Sequence, residues 1–223
     1  MLPIIMELFD IHTHQISSTK RGEPNYSCIL DVNPLELEVA KDTYNRHSFS
    51  SAIHPWNAKD SESQLKLLFE MATYSRIVAI GETGLDKIKG PSFDIQIPLF
   101  KRHIELSEQL KKPLIIHAVK AWEQLYHIRR EAKATQPWII HGFRGNPQLT
   151  QQMVSVGFMF SLGEKFNPNS LEFIPKESLF CETDESEIDI KDVYQQVADA
   201  LNQDIEYFAT QVAENVHRVF PSL

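Results

Sequence analysis

Pro113-Leu114-Ile115-Ile116-His117 and, one helical stretch later, Trp138-Ile139-Ile140-His141 decide how this chain folds. Each is an unbroken apolar run that ends in a histidine. A strand with one wet face alternates apolar and polar residues, whereas these runs are apolar throughout, as strands covered on both faces of a parallel sheet are. Six more runs have the same character: Glu7 to His12, Ser27 to Asp31, Phe49 to His54, Ile77 to Glu82, Phe158 to Leu162 and Leu179 to Asp184. Between and after them lie segments with helical periodicity, roughly Pro34 to Arg46, Ser61 to Tyr74, Asp94 to Lys111, Ala121 to Ala134, Pro147 to Val156, Lys191 to Leu201 and Ile205 to Phe220. Strands alternating with helices predict an α/β protein, a single-domain (β/α)8 TIM barrel covering residues 1–223. The barrel should be slightly reduced, because 223 residues is near the lower end of about 200 for this architecture. Gln15 to Asn25 reads as a loop where a first helix would lie, and Asn167 to Pro175 leaves room only for a short one.

Composition narrows the class further. Two cysteines, Cys28 and Cys181, fall inside apolar strands and read as reduced core residues, with no disulfide framework. The opening Met1-Leu2-Pro3-Ile4-Ile5-Met6 lacks a basic region and runs into an acidic residue, which is unlike a signal peptide, and no apolar run reaches membrane-spanning length. The expectation is a cytoplasmic protein with no membrane partner. A formal net charge of −8 argues against broad electrostatic adhesion to nucleic acid, although bound divalent metals and a few cations can invert the field at a local site.

In a (β/α) barrel the C-terminal ends of all strands open onto one face, where active sites are built. His12, His14, Glu82, His117, His141 and Asp184 all stand at such ends, so residues scattered along the chain converge in space. Each has an ordinary alternative. His12-Thr13-His14 is compatible with a structural or exposed pair, Glu82 with a helix cap and Asp184 with a turn. Their joint occurrence, four imidazoles and two carboxylates at strand ends, points to a dinuclear metal site. His47, His103, His127 and His217 lie in or beside helical segments and read as surface or packing residues.

These segments also carry a resemblance. Phe9-Asp10-Ile11-His12-Thr13-His14, Ile53-His54-Pro55-Trp56, Ile80-Gly81-Glu82-Thr83-Gly84-Leu85-Asp86, Ile140-His141-Gly142-Phe143-Arg144-Gly145 and Glu182-Thr183-Asp184 are similar, in order, to the signature segments of the TatD family of metal-dependent hydrolases. Glu214 to Phe220 resembles its terminal helix motif. The resemblance implies an amidohydrolase-type TIM barrel and a metal-dependent deoxyribonuclease. It implies two divalent metal ions, Zn, Mg or Mn, with His12, His14 and Asp184 on one, His117 and His141 on the other, and Glu82 bridging. Asp184 would also serve as general base, and His54 would hydrogen-bond a substrate oxygen.

The chain departs from the family pattern in three places. Val119-Lys120 stands where the family places an arginine after the strand histidine, and Gly142 and Arg144 alter the motif that usually reads His-Cys-Phe-Ser-Gly. Lys120 and Arg144 are therefore the candidates for substrate phosphate contacts. The segment Glu185 to Asp192 is short and acidic, without the family's arginine and proline cluster. The expected substrate is a phosphoester, DNA ends or short oligonucleotides by family default. The alternatives are a small anionic ester, phosphodiester or amide, and a metal-binding scaffold without catalysis.

Overall fold

The computed structural model describes residues 6–15, 25–44, 47–59 and 61–223. Eight strands form one sheet in the order of the chain, every neighbouring pair parallel. They are β1 (Leu8–Thr13), β2 (Tyr26–Asp31), β3 (Ser48–Ser50), β4 (Ile77–Asp86), β5 (Leu114–Val119), β6 (Trp138–Ile140), β7 (Phe158–Leu162) and β8 (Leu179–Cys181). The segment just beyond the last strand returns to the first through a parallel bridge between Asp184 and Thr13, which brings the barrel nearly to closure. The strand side chains are almost wholly buried, β4 without exception, which accounts for the lack of polar alternation in their sequences.

Helices α1 (Leu37–Thr43), α2 (Glu62–Met71), α3 (Phe93–Leu110), α4 (Trp122–Glu131) and α5 (Pro147–Ser155) follow β2 to β6 in turn, and α6 (Ile190–Ala200) and α7 (Ile205–Val219) follow β8. The link from β7 to β8 holds only short 3₁₀ turns, Pro168–Phe173 and Lys176–Ser178, as the length of Asn167 to Pro175 predicted. Most of the expected loop from Gln15 to Asn25 lies outside the described residues, as does the opening segment through residue 5. Among the described residues no helix is long and apolar enough to cross a membrane. Cys28 and Cys181 are both buried.

Several boundaries differ from the sequence reading, each for a physical reason. The helix expected from Pro34 begins at Leu37, because Pro34 to Glu36 form a turn in which Asn33 Oδ1 accepts the Leu35 N–H at 2.9 Å. β4 runs on past Glu82 to Asp86, since pairing with β5 resumes at Thr83 after a register shift beyond Ile80. The strand drawn to His54 stops at Ser50. His54 instead caps a 3₁₀ turn, Pro55–Asn57, its Nδ1 accepting the Trp56 N–H at 3.2 Å. β6 and β8 likewise stop short of His141 and Asp184, so those two side chains stand on the rim rather than in the sheet.

Candidate metal centre

Glu82 is the hub of the rim. Its strand can approach β5 closely because two positions lack side chains. A Cβ on Gly81 would lie 2.6 Å from Ile115 Cβ, and one on Gly84, whose φ is +141°, would lie 2.1 Å from the His117 carbonyl oxygen. The Glu82 carboxylate, buried on this tightly packed strand, faces two ways. Oε2 lies 3.5 Å from His12 Nε2 and 3.3 Å from His14 Nε2. Oε1 lies 2.6 Å from His117 Nδ1, 2.7 Å from His141 Nε2 and 3.2 Å from His54 Nε2.

Asp184 completes the Oε2 side, with Oδ1 at 3.7 Å from His12 Nε2 and 3.5 Å from His14 Nε2. Its φ of +56° is left-handed, a conformation uncommon for a residue with a side chain. The barrel seam holds it there: the Asp184 N–H donates to the His12 carbonyl at 2.9 Å and the His14 N–H to the Asp184 carbonyl at 3.1 Å. The structure thus brings together all six candidate ligands, with His54 beside them.

Four carboxylates and a histidine around the centre had no role in the sequence reading. Asp86 Oδ2 lies 3.0 Å from His117 Nε2 and accepts the Trp56 indole N–H at 2.6 Å. Glu182, fully buried, lies 3.3 Å from His141 Nδ1 and accepts the Gly142 N–H at 2.6 Å. Asp10 accepts the Thr183 N–H at 3.0 Å and its hydroxyl at 2.6 Å, tying β1 to the rim of β8. Asp31, at the end of β2, accepts the Ser50 hydroxyl at 2.7 Å and lines the cavity. Buried His103, on α3, pairs with the Ile53 N–H at 3.2 Å and Thr83 Oγ1 at 2.9 Å, under the neighbours of His54 and Glu82. The one sequence signal for three of these was position. Asp10 precedes His12 by two residues on β1 and so shares its strand face, Glu182 stands two residues before Asp184, and Asp86 ends the Gly-Glu-Thr-Gly-Leu-Asp run.

The electrostatics follow from crowding. Burial pushes the Glu82 carboxyl up, but the His141 imidazole and the contacts from His117, His12 and His14 outweigh it and hold Glu82 well below the carboxylate range. Burial pulls the His141 imidazole down, while Glu82 and Glu182 lift it well above its ordinary value. His14 is likewise lowered by burial, yet its hydrogen bond to Glu82 and the charges of Asp31, Glu82 and Asp184 bring it to about 9. Burial raises Asp10 to about 6 and also raises Asp31. Asp86 is pushed up by burial but brought to about 2 by its indole, backbone and imidazole donors.

The donor set suits a divalent cation. Ligand atoms of His12, His14 and Asp184, of His12, Glu82 and His141, and of His54, Glu82 and His117 form three groups, each with its atoms within 4.8 Å of one another. His12 is fully buried, yet among the described residues neither ring nitrogen has a hydrogen-bond partner, a costly condition that a cation would relieve at Nε2. Nitrogen and oxygen donors without sulfur fit Zn, Mg or Mn. A cavity of about 380 Å³ opens over the centre, lined also by Asp31, Asn33, Glu36, Trp56, Asn57 and Glu185. Lys120 and Arg144 are exposed and are not among its lining residues.

The parallel barrel and its histidine–carboxylate rim define a class, the barrel hydrolases that depend on metal. The chain belongs to the TatD family: the family described as TatD related DNase matches residues 17–221. Its relatives include an uncharacterized metal-dependent hydrolase of Bacillus subtilis, YabD, 29% identical over 96% of this chain and 98% of its own. Another, YcfH of Escherichia coli, is 30% identical over 61% of this chain and 54% of its own. Among solved structures, the TatD homologue YjjV of Escherichia coli superposes with a TM-score of 0.85 at 18% identity, covering 97% of this chain and 98% of the other. A TatD family hydrolase from Entamoeba histolytica gives 0.78 at 16% identity over 98% and 99%. Both share the fold.

Proposed function

We propose that the protein hydrolyses phosphoester bonds with a water activated between two divalent metal ions, as a TatD-type deoxyribonuclease acting on DNA ends or short oligonucleotides. The observation that carries this reading is the two-sided Glu82 carboxylate, one oxygen toward His12 and His14, the other toward His117 and His141. In this reading His12, His14 and Asp184 hold one ion, His117 and His141 the other, and Glu82 both. Two such ions, when bound, lower the pKa of a shared water and stabilise the attacking and leaving oxygens. Asp184, on the open side of the rim, accepts the water's proton. His54, already 3.2 Å from Glu82, turns its Nε2 to a substrate oxygen.

The cavity wall favours a second reading. Asp31, Glu36, Asp184 and Glu185 line it, and no lysine or arginine does among the described residues. A small ester, phosphodiester or amide fits that space without the phosphate grip that a long strand requires. Lys120 and Arg144, outside the cavity, would meet only those parts of a substrate that extend beyond it.

Hydrolysis of single-stranded DNA and of a generic phosphodiester by the metal-loaded protein tests the two together. DNA binding should be weak and only shallowly salt-dependent, since few cations are placed to release counterions. Replacing Lys120 and Arg144 with alanine should raise KM on oligonucleotides more than it lowers kcat. Tight, steeply salt-dependent binding to long duplex DNA would refute the weak-grip expectation. Activity toward neither substrate would refute the phosphoester reading.

A further inference from the structure

We infer that Asp86 is a positioning residue of this centre: it fixes the orientation and tautomer of His117 so that Nδ1, and not Nε2, is presented beside Glu82. The inference rests on the metal-binding reading of the site given above.

Asp86 is 4% exposed and ends β4. Its backbone is clamped by the buried Gln96 of α3, whose Oε1 accepts the Asp86 N–H and whose Nε2 donates to the Asp86 carbonyl, both at 2.8 Å. The carboxylate is therefore a fixed element and not a mobile rim group. Oδ1 accepts the N–H groups of Ile88 at 2.7 Å and Lys89 at 2.9 Å. Oδ2 accepts the Trp56 indole N–H at 2.6 Å. Backbone amides and an indole nitrogen have only a hydrogen to offer, so both carboxylate oxygens are acceptors.

The fourth group on Asp86 is His117 Nε2, 3.0 Å from Oδ2. Facing an acceptor, it carries the proton. A neutral imidazole protonated on Nε2 has its lone pair on Nδ1, and that nitrogen lies 2.6 Å from Glu82 Oε1. A lone pair and a carboxylate oxygen so close repel unless they share a positive group, and a divalent cation bound by both is one that leaves the Asp86 bond intact. A carboxylate behind a ligating imidazole also raises its basicity. Through the same oxygen Asp86 holds Trp56 at the cavity wall, and Lys89 Nζ lies 3.2 Å from the centroid of that indole. One side chain thus links a ligand, an aromatic wall and a cation.

The test uses the full chain loaded with zinc. Asp86→Asn offers one oxygen and one amide group. With the oxygen on the Ile88 and Lys89 N–H groups, the amide faces His117, which must then accept at Nε2 and carry its proton on Nδ1. Zinc affinity, measured by competition with a chromophoric chelator, should fall by about 10- to 100-fold. Trp56→Phe removes the indole donor but leaves Asp86 to His117 and should keep the parent affinity. In long-range proton–nitrogen spectra of the zinc-loaded parent, labelled at histidine, His117 should carry its hydrogen on Nε2. Unchanged affinity in a folded Asp86→Asn chain overturns the inference, as does a His117 with its hydrogen on Nδ1 in the zinc-loaded parent. The spectrum needs no variant, so it decides even when Asp86→Asn does not fold. A parent chain that binds no zinc overturns the metal-centre reading itself, and this inference with it.

Discussion

The two sides of Glu82 are built differently. On the Oε1 side, His117 and His141 each have a buried carboxylate behind them, Asp86 at 3.0 Å and Glu182 at 3.3 Å. On the Oε2 side, His12 has no hydrogen-bond partner at Nδ1 among the described residues, and the side chains of His14 and Asp184 are 34% and 33% exposed. The β5–β6 half is braced, and the β1–β8 half carries the two most exposed side chains of the set, His14 and Asp184. A braced imidazole is oriented before a ligand arrives, whereas an unbraced one must be ordered by it. Under the two-ion reading proposed above, the braced side would hold its cation more tightly than the exposed side.

The largest expected effect comes from removing the group both halves share. Glu82→Ala should lower cation occupancy on both sides, while His141→Ala should chiefly empty one. Hydrolysis by the Glu82 variant should fall by at least about 10³-fold, given the several kcal/mol a metal ion contributes to charge stabilisation. Metal analysis of the purified variants checks this, and two tightly held ions per Glu82→Ala chain would end the bridging role. Next is Asp184→Asn, which alters only the open half. It should keep the fold and part of the metal while turnover drops by at least about 10²-fold. Near-normal turnover with metal bound would take Asp184 out of the chemistry.

A smaller effect sharpens the contrast. Stepwise titration of the metal-free protein should resolve two affinities differing by about 10- to 100-fold. His14→Ala should abolish the weaker one and spare the tighter. Two equal affinities would show that the outer carboxylates do not distinguish the halves.

The smallest effect concerns His103, on α3 behind β4. Burial is the main cause that lowers its pKa to about 3, against an ordinary value near 6.5. Between those values the folded state binds fewer protons here than the unfolded state does. Stability from this group is therefore complete above pH 6.5 and is lost as pH falls toward 3, by up to about 1.4 kcal/mol per pH unit. Denaturant unfolding of a His103→Asn variant should show a shallower loss between about pH 6 and pH 4. An unchanged slope would mean that His103 becomes charged in the folded protein without cost.

The barrel and the six rim residues were legible because both leave local marks: unbroken apolar runs, and chelating side chains at their ends. The bracing was not. Asp86 and Glu182 are chemically the same as residues read as ligands, and only the packing of β4 against β5 and of β8 against the rim of β6 decides which carboxylate faces the centre and which stands behind it. Glu82 was placed at a strand terminus because its strand's continuation depends on a register shift against β5, a relation between strands that neither one encodes alone. His103 is a packing residue, one of the two readings its helical position allows, but what it packs against leaves no local mark. Its partners, Ile53 and Thr83, lie on other elements.

The seam between β1 and β8 has a consequence for how the molecule comes into being. His12 and His14 are made long before Asp184, and the bonds joining them also join the two ends of the sheet. A nascent chain that has not yet emitted β8 carries histidines and Glu82 but lacks Asp184, and its first strand still has an open edge. Under the proposed reading, the ligand set would therefore be assembled only when the chain beyond β8 has joined β1.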